Sequence, residues 1–321
     1  MITVVIPNYN GAEVLTDCLA SLTGQTLPVH EVILVDNGSS DGSVAMAEEV
    51  WPGIRIIQNG HNLGFASAVN AGIKAAAGQY VALLNNDVTV ERDWLAEMKL
   101  VLEADPLTFA VGPKLLLDPD RERINVIGIK LKKSLESASI GAGQLDRGQY
   151  DLPGQVFGVS AGAALYRREI FDEVGFFDDD YFAYLEDVDL SFRARLMGYR
   201  FRYTPRSRAF HRQGWTTRKR MPSSFEISRN SRNILYCQVT NVPGRVWRRH
   251  RFNILGRHLE LFWRYTIQYV LRGTSIPYLR GKMDFIRNLN RVLAKRRMVQ
   301  DAKRVPDEEI LFWVGREVVV E

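Results

Sequence analysis

Tyr80-Val81-Ala82-Leu83-Leu84-Asn85-Asn86-Asp87 is the stretch on which the fold turns. Its first five residues are apolar or aromatic and carry no charge, the composition of a strand buried on both faces. The run then stops in two carboxamides and one carboxylate. In open α/β sheets, ligands bind beyond the carboxyl ends of the strands. Asp87 is therefore placed to hold a cation or a polar ligand.

Working outward, strands and helices alternate through the first hundred residues. Thr3–Ile6, Glu31–Val35 and Ile54–Gln58 read as strands, and Ala12–Leu22 and Ser43–Val50 as helices. Phe65–Ala77 reads as an Ala-rich helix stopped by Gly78, and Trp94–Leu102 as the next helix. Such alternation predicts βαβ units and a mainly parallel sheet, an α/β fold. Residues 114–156 mix charge, Gly and short apolar pieces, as a variable loop or small hairpin would. A helix is expected at Leu190–Met197, followed by strand pieces at Arg200–Tyr203 and Arg208–His211. From Pro222 the chain reads as helical, broken at Pro243-Gly244 and between Gly273 and Pro277. Two units are expected, a catalytic α/β domain over 1–221 and a basic helical extension over 222–321.

Composition fits a folded globular chain: 46% hydrophobic and 25% charged among 321 residues. Cys18 and Cys237 have neither metal-ligand nor disulfide-framework spacing, which suits a reducing cytosol. The chain opens directly into a strand, so no signal peptide is expected. No stretch of about 18 uncharged apolar residues exists to span a bilayer. The net charge of +5 is unevenly spread, because residues 245–305 hold sixteen Lys/Arg against three Asp/Glu. This basic, aromatic-rich segment suits peripheral contact with the inner face of the plasma membrane. The plainer alternative is a helical subdomain with a solvated basic face. Nucleic-acid binding is not expected, since no recognition motif accompanies the charge. Homo-oligomerisation stays open.

Four further segments carry candidate chemistry. In Val35-Asp36-Asn37-Gly38-Ser39-Ser40-Asp41-Gly42-Ser43 a strand ends in Asp36, which can accept a hydrogen bond from a base N–H, while Asp41 can cap the next helix. By itself this segment reads better as a well-capped turn. Asn62-Leu63-Gly64-Phe65-Ala66-Ser67-Ala68-Val69-Asn70 starts a helix with small residues that let a ligand approach the backbone. Tyr184-Leu185-Glu186-Asp187-Val188-Asp189 opens a helix with three carboxylates, more than the helix dipole needs, behind five aromatic residues. Such a cluster can supply a general base. His211, before Arg212-Gln213-Gly214-Trp215, is either a metal ligand or a structural histidine.

Together, and in this order, these segments resemble the inverting glycosyltransferases of family 2 over about residues 1–220. The resemblance implies a GT-A fold: a Rossmann-like, mainly parallel central sheet, here with a helical C-terminal extension. Val5-Ile6-Pro7-Asn8-Tyr9-Asn10 is similar to the family's opening strand, and Asp36 holds the base-binding position. Asn62-Leu63-Gly64 with Asn70 matches the third signature, and Leu84-Asn85-Asn86-Asp87 stands at the Asp-x-Asp metal motif. Glu186-Asp187 matches the pair whose Asp is the catalytic base, and His211 corresponds to the metal-site histidine. The resemblance thus implies Pro7, Tyr9, Asp36, Asn62, Gly64, Asn70, Asn86 and Asp87 on the nucleotide-sugar. It implies Asp87 and His211 on Mg²⁺ or Mn²⁺, Asp187 as base, and Glu186 and Trp215 on the acceptor side.

Val-Asp-Asn, Leu-Asn-Asn-Asp and Glu-Asp-Val-Asp-Leu-Ser-Phe-Arg are most similar to bacterial rhamnosyltransferase-type members that build surface polysaccharides. A nucleotide-sugar donor and a glycan or lipid-linked acceptor are expected. Asn85 replaces the first Asp of Asp-x-Asp, so metal should bind weakly until a donor diphosphate adds ligands. The Gln-x-x-Arg-Trp motif of processive members is absent, which points away from a polymerising synthase. A nucleotidyltransferase would need a Gly-rich basic loop after the first strand, which Pro7-Asn8-Tyr9-Asn10-Gly11 does not supply. The remaining alternative is a non-catalytic nucleotide-sugar-binding scaffold.

Overall fold

The computed structural model describes residues 1–212, 223–270 and 277–320. The first half runs β1 (Ile2–Asn8), α1 (Ala12–Thr23), β2 (Glu31–Asp36), α2 (Ser43–Val50), β3 (Arg55–Gln58), α3 (Gly64–Ala75), β4 (Tyr80–Leu84), β5 (Val88–Val90), α4 (Trp94–Glu103) and β6 (Thr108–Leu117). Then follow β7 (Ile124–Val126), β8 (Ile129–Leu131), β9 (Ser137–Ser139), β10 (Gly154–Val156), β11 (Ala163–Arg167), α5 (Ile170–Val174), α6 (Glu186–Leu196) and β12 (Arg200–His211). The extension supplies α7 (Ser224–Asn241), α8 (Gly244–Val270), α9 (Pro277–Arg287), α10 (Leu289–Asp301), α11 (Asp307–Trp313) and β13 (Val319–Val320).

The main sheet has the order β13-β10-β12-β6-β11-β4-β1-β2-β3. β4, β1, β2 and β3 pair in parallel. β11 is reversed between β4 and β6, and β12 runs parallel to β6. Six of the seven strands from β12 to β3 therefore point the same way, as the alternation of strand and helix predicts. Burial on both faces explains the apolar runs. In β1, Val5 packs with α3 residues Val69 and Ile73, whereas Val4 and Ile6 pack with α1 residues Leu15 and Leu19. A one-residue slip would exchange these two sets.

Three local expectations change. The helix after residue 63 ends at Ala75, where Ala76 turns extended. Gly78 is not its stop; a Cβ there would meet Thr3 N at 2.7 Å and Tyr80 O at 2.8 Å, so Gly78 lets the chain pass close beside β1. The pieces at 200–203 and 208–211 are one strand, β12, with a register shift between Thr204 and Arg208. A bulge interrupts the side-chain alternation without ending the strand. Residues 114–156 contribute an edge strand, β7, a separate β8–β9 hairpin and β10. The extension returns to the sheet, since β13 pairs with β10 and Trp313 is buried beside Phe157 and Phe192.

Candidate active site

β4, β1 and β2 end together because their parallel pairing aligns their carboxyl ends, with Asn8 in register with Asp36. Asn8 ties these ends into one unit. Its Nδ2 donates to Asp36 Oδ1 (3.2 Å), Ser39 Oγ (3.2 Å) and Ser43 Oγ (2.9 Å), while its Oδ1 accepts from Asn86 Nδ2 (2.8 Å). Asp36 Oδ2 accepts from the N–H groups of Gly38 (3.1 Å) and Ser39 (3.0 Å), and Oδ1 accepts from Ser39 Oγ (2.5 Å). With Asn8, these occupy the roughly four lone-pair positions of a carboxylate. Asp36 thus fixes the shape of its own loop. Asp41 accepts from Ala12 N (2.8 Å) and Ser43 N (3.1 Å), joining the starts of α1 and α2. Burial opposes its charge, yet these donors hold its carboxyl below the usual range. Pro7 pairs opposite Val35, and Tyr9 is exposed just beyond β1.

Asp87 and His211 meet because β5 pairs antiparallel with β12, setting Val88 opposite His211. His211 Nε2 lies 3.3 Å from Asp87 Oδ1, and both side chains keep some solvent exposure. His211 Nδ1 is 3.1 Å from Asn125 Oδ1. With Nδ1–H donating to that oxygen, Nε2 would be the nitrogen to meet a cation beside Asp87. Among the described residues no group of three His, Cys, Asp or Glu gathers for a metal. One oxygen and one imidazole nitrogen suit a divalent cation that takes its other ligands elsewhere. Nearby in sequence, the buried Asn85 Oδ1 has no hydrogen-bond partner.

Glu186 and Asp187 open α6 beyond an unusual turn. Phe182, Tyr184 and Leu185 all have left-handed backbones, with φ of 65°, 71° and 69°. Non-glycine residues in this region cost about 1–2 kcal/mol each. Two clamps hold the turn. On the α3 side, Asn62 Oδ1 accepts from Gly64 N (2.9 Å), and Gly64, at φ 87°, leaves room for Phe182. A Cβ at residue 64 would come within 2.4 Å of Phe182 O. Asn70 Nδ2 donates to Phe177 O (2.7 Å) and Asp179 Oδ1 (2.9 Å), while its Oδ1 accepts from Phe177 N. On the α7 side, Asn233 Nδ2 donates to the carbonyls of Tyr181 (3.2 Å), Ala183 (2.9 Å) and Tyr184 (2.7 Å). Arg232 Nη2 donates to Asp180 O and Tyr181 O.

Gly162 O accepts from Asn85 N (2.8 Å), and the Ala161 N–H donates to the Asp187 carboxylate. One short segment before β11 thus joins the end of β4 to the start of α6. Asp187 Oδ1 also accepts from Val188 N (2.8 Å). Burial pushes the Asp187 carboxyl up to about 6 against these donors. Glu186 is buried, its Oε2 has no partner, and burial with the adjacent Asp187 charge raises it to about 8. The two carboxyls therefore titrate as a coupled pair, both raised by burial, and Asp187 keeps partial exposure. Trp215 lies outside the described residues. Sequence reasoning passed over Asn125, Arg232 and Asn233. A buried amide-bearing residue inside a helix leaves no periodic signal.

Residues 3–175 match Glycosyl transferase family 2, and residues 143–290 match Glycosyl transferase family group 2. The chain is 29% identical over 210 residues to the poly-beta-1,6-N-acetyl-D-glucosamine synthase of Staphylococcus epidermidis, covering 64% of this chain and 48% of that one. It therefore spans about half the length of that relative. It is 27% identical over 300 residues to the N-acetylglucosaminyl-diphospho-decaprenol L-rhamnosyltransferase of Mycobacterium tuberculosis, covering 85% of this chain and 90% of that one. Two solved structures share the GT-A fold. Residues 1–349 of S. aureus TarS in complex with UDP-GlcNAc superpose with a TM-score of 0.60 at 18% identity, covering 94% of this chain and 86% of that one. The mannosyltransferase PcManGT from Pyrobaculum calidifontis, in complex with GDP-Man and Mn²⁺, gives 0.53 at 19%, covering 97% and 78%. With more than half of its residues matched to that family, the chain belongs to glycosyl transferase family 2.

Proposed function

We propose that the protein is an inverting, non-processive glycosyltransferase acting in cell-surface polysaccharide synthesis. It moves a sugar from a nucleotide-sugar to a hydroxyl of a glycan or lipid-linked acceptor. The observation that supports this best is the Glu186–Asp187 pair: a carboxylate poised near neutrality, partly open, and joined through residues 161–162 to the strand end bearing Asp87. Asp187 accepts the proton of the acceptor hydroxyl, which must approach to about 2.6–3.2 Å. The new C–O bond forms on the face opposite the breaking bond to the nucleoside diphosphate, so the anomeric configuration inverts. Pro7, Tyr9, Asp36 and Asn86 shape the donor side, and Glu186 with Trp215 the acceptor side. Asn62 and Gly64 serve the donor site by fixing the turn at Phe182, and Asn70 by tying down the segment 177–179 that leads into it. A divalent cation, Mg²⁺ or Mn²⁺, held by Asp87 and His211 would neutralise charge on the departing diphosphate. The extent of the match to a rhamnosyltransferase favours a dTDP- or UDP-linked donor, with rhamnose the first sugar to try.

The test is release of nucleoside diphosphate from dTDP-rhamnose, UDP-GlcNAc and GDP-mannose with Mn²⁺, in the native protein and in Asp187→Asn. The expected result is turnover of one donor, abolished in Asp187→Asn while nucleotide binding persists. Near-normal turnover in that variant removes Asp187 as the base, and binding without turnover of any donor favours a scaffold.

A further inference from the structure

α8 has two unlike faces. Val246, Ile254 and Leu261 are buried against the body, and Arg257 and His258 bond Glu136 and Gln238. The opposite face carries Phe252, Leu255, Leu259, Trp263 and Ile267, which are 73%, 58%, 51%, 60% and 51% exposed. At 3.6 residues per turn these five side chains fall in a stripe about 120° wide. Arg245, Arg248, Arg249 and Arg251 are exposed at its N-terminal end, and the Arg251 guanidinium lies 4.8 Å from the centre of the Phe252 ring. The one acidic residue of the helix, Glu260, is paired with Arg257.

We infer that this face docks the protein on an anionic bilayer surface. The inference goes beyond the transfer reaction and is read by binding alone. Charge selects the occupant. Residues 245–305 carry a formal +13, whereas the rest of the chain, with 26 basic and 34 acidic residues, carries −8. A second copy would set one arginine cluster against another, which like charge disfavours. Nucleic acid would meet an apolar centre that offers its phosphates no donors. A leaflet rich in anionic headgroups satisfies both parts, since arginines meet phosphate while Leu259 and Trp263 enter the headgroup boundary. The buried face of the same helix supplies Arg257, Leu261 and Tyr265 to a cavity of about 230 Å³ that also touches Leu185, the residue before Glu186. Under the proposed function, docking would present that cavity to a lipid-linked acceptor.

The test is flotation of the full chain with vesicles of phosphatidylcholine, with and without phosphatidylglycerol. Binding is expected only to the anionic vesicles, falling as salt rises. Arg248→Gln with Arg249→Gln should weaken it by roughly thirty-fold, taking about 1 kcal/mol per basic residue at the surface. Leu259→Ser with Trp263→Ser should weaken it by about tenfold or more. Because these residues are exposed, melting temperature should be unchanged. Equal binding to both vesicle types, no binding to either, or wild-type binding in either double variant overturns the inference. So does a dimer in light scattering that the Leu259/Trp263 variant splits and that does not bind vesicles.

Discussion

Replacing Asn233 by Ala should slow the reaction far more than it weakens donor binding, although Asn233 sits on α7 and is not proposed to touch substrate. Its two Nδ2 hydrogens are shared among the carbonyls of Tyr181, Ala183 and Tyr184. Those carbonyls belong to the turn whose three left-handed residues together cost roughly 3–6 kcal/mol. A buried carbonyl left without a donor costs about 1–3 kcal/mol. Arg232 still serves Tyr181 O in the variant, so two carbonyls, those of Ala183 and Tyr184, lose their side-chain donor. The expected loss of unfolding stability is about 2–4 kcal/mol, limited by relaxation of the strained turn.

That relaxation is what the rate reports. If the turn unwinds, Glu186 and Asp187 move with it, and a displacement of about 1 Å can cost about 100-fold in rate. The assay is kcat and KM for nucleoside diphosphate release, measured well below the variant's melting temperature, beside thermal unfolding. The expected result is kcat lowered about 100-fold with KM for donor little changed. Asn233→Asp keeps the shape but cannot donate, so it should be at least as slow. A normal kcat at reduced stability would show that Asn233 only supports folding, and full turnover in Asn233→Asp would show that its donors do not matter.

Two further outcomes follow from the site. Burial raises the Asp187 carboxyl to about 6, and only its ionised form accepts a proton. Hence kcat/KM should be flat above that pH and fall about tenfold per unit below it; a profile flat down to pH 4.5 would exclude Asp187 as the base. Asn125 holds His211 Nδ1 at 3.1 Å. Asn125→Ala should raise the Mn²⁺ concentration for half-maximal activity about tenfold, whereas an unchanged metal titration would separate His211 from the cation.

The strands, the helices on both sides of them and the two carboxylate-bearing segments were legible because each rests on a local rule. Tyr80–Leu84 is a continuous apolar run, and it is β4 to the residue. Ser43–Val50 starts beside an acidic capping residue and matches α2. Gly78 misled because glycine near a helix end usually serves the turn, and here a crossing at Thr3 needed it instead. The unity of β12 was hidden by its bulge. The contact between Asp87 and His211 depends on pairing of residues more than a hundred positions apart, which no local pattern encodes.

The turn at 182–185 shows why the remainder stayed hidden. Nothing in Phe182-Ala183-Tyr184-Leu185 announces left-handed backbone; no Gly or Asn stands there. The conformation persists because partners distant in sequence over-determine it: Gly64 at the start of α3 beside Phe182, Asn70 in mid-α3 holding the approach at 177–179, and Arg232 and Asn233 from α7. Tightly held strain of this kind concentrates at functional sites, and here it aims the two coupled carboxyls of Glu186 and Asp187. The helices beyond residue 222 thus belong to the geometry of the Glu186–Asp187 pair. Within them α7 fixes the turn, while α8 carries the exposed face inferred to meet an anionic surface.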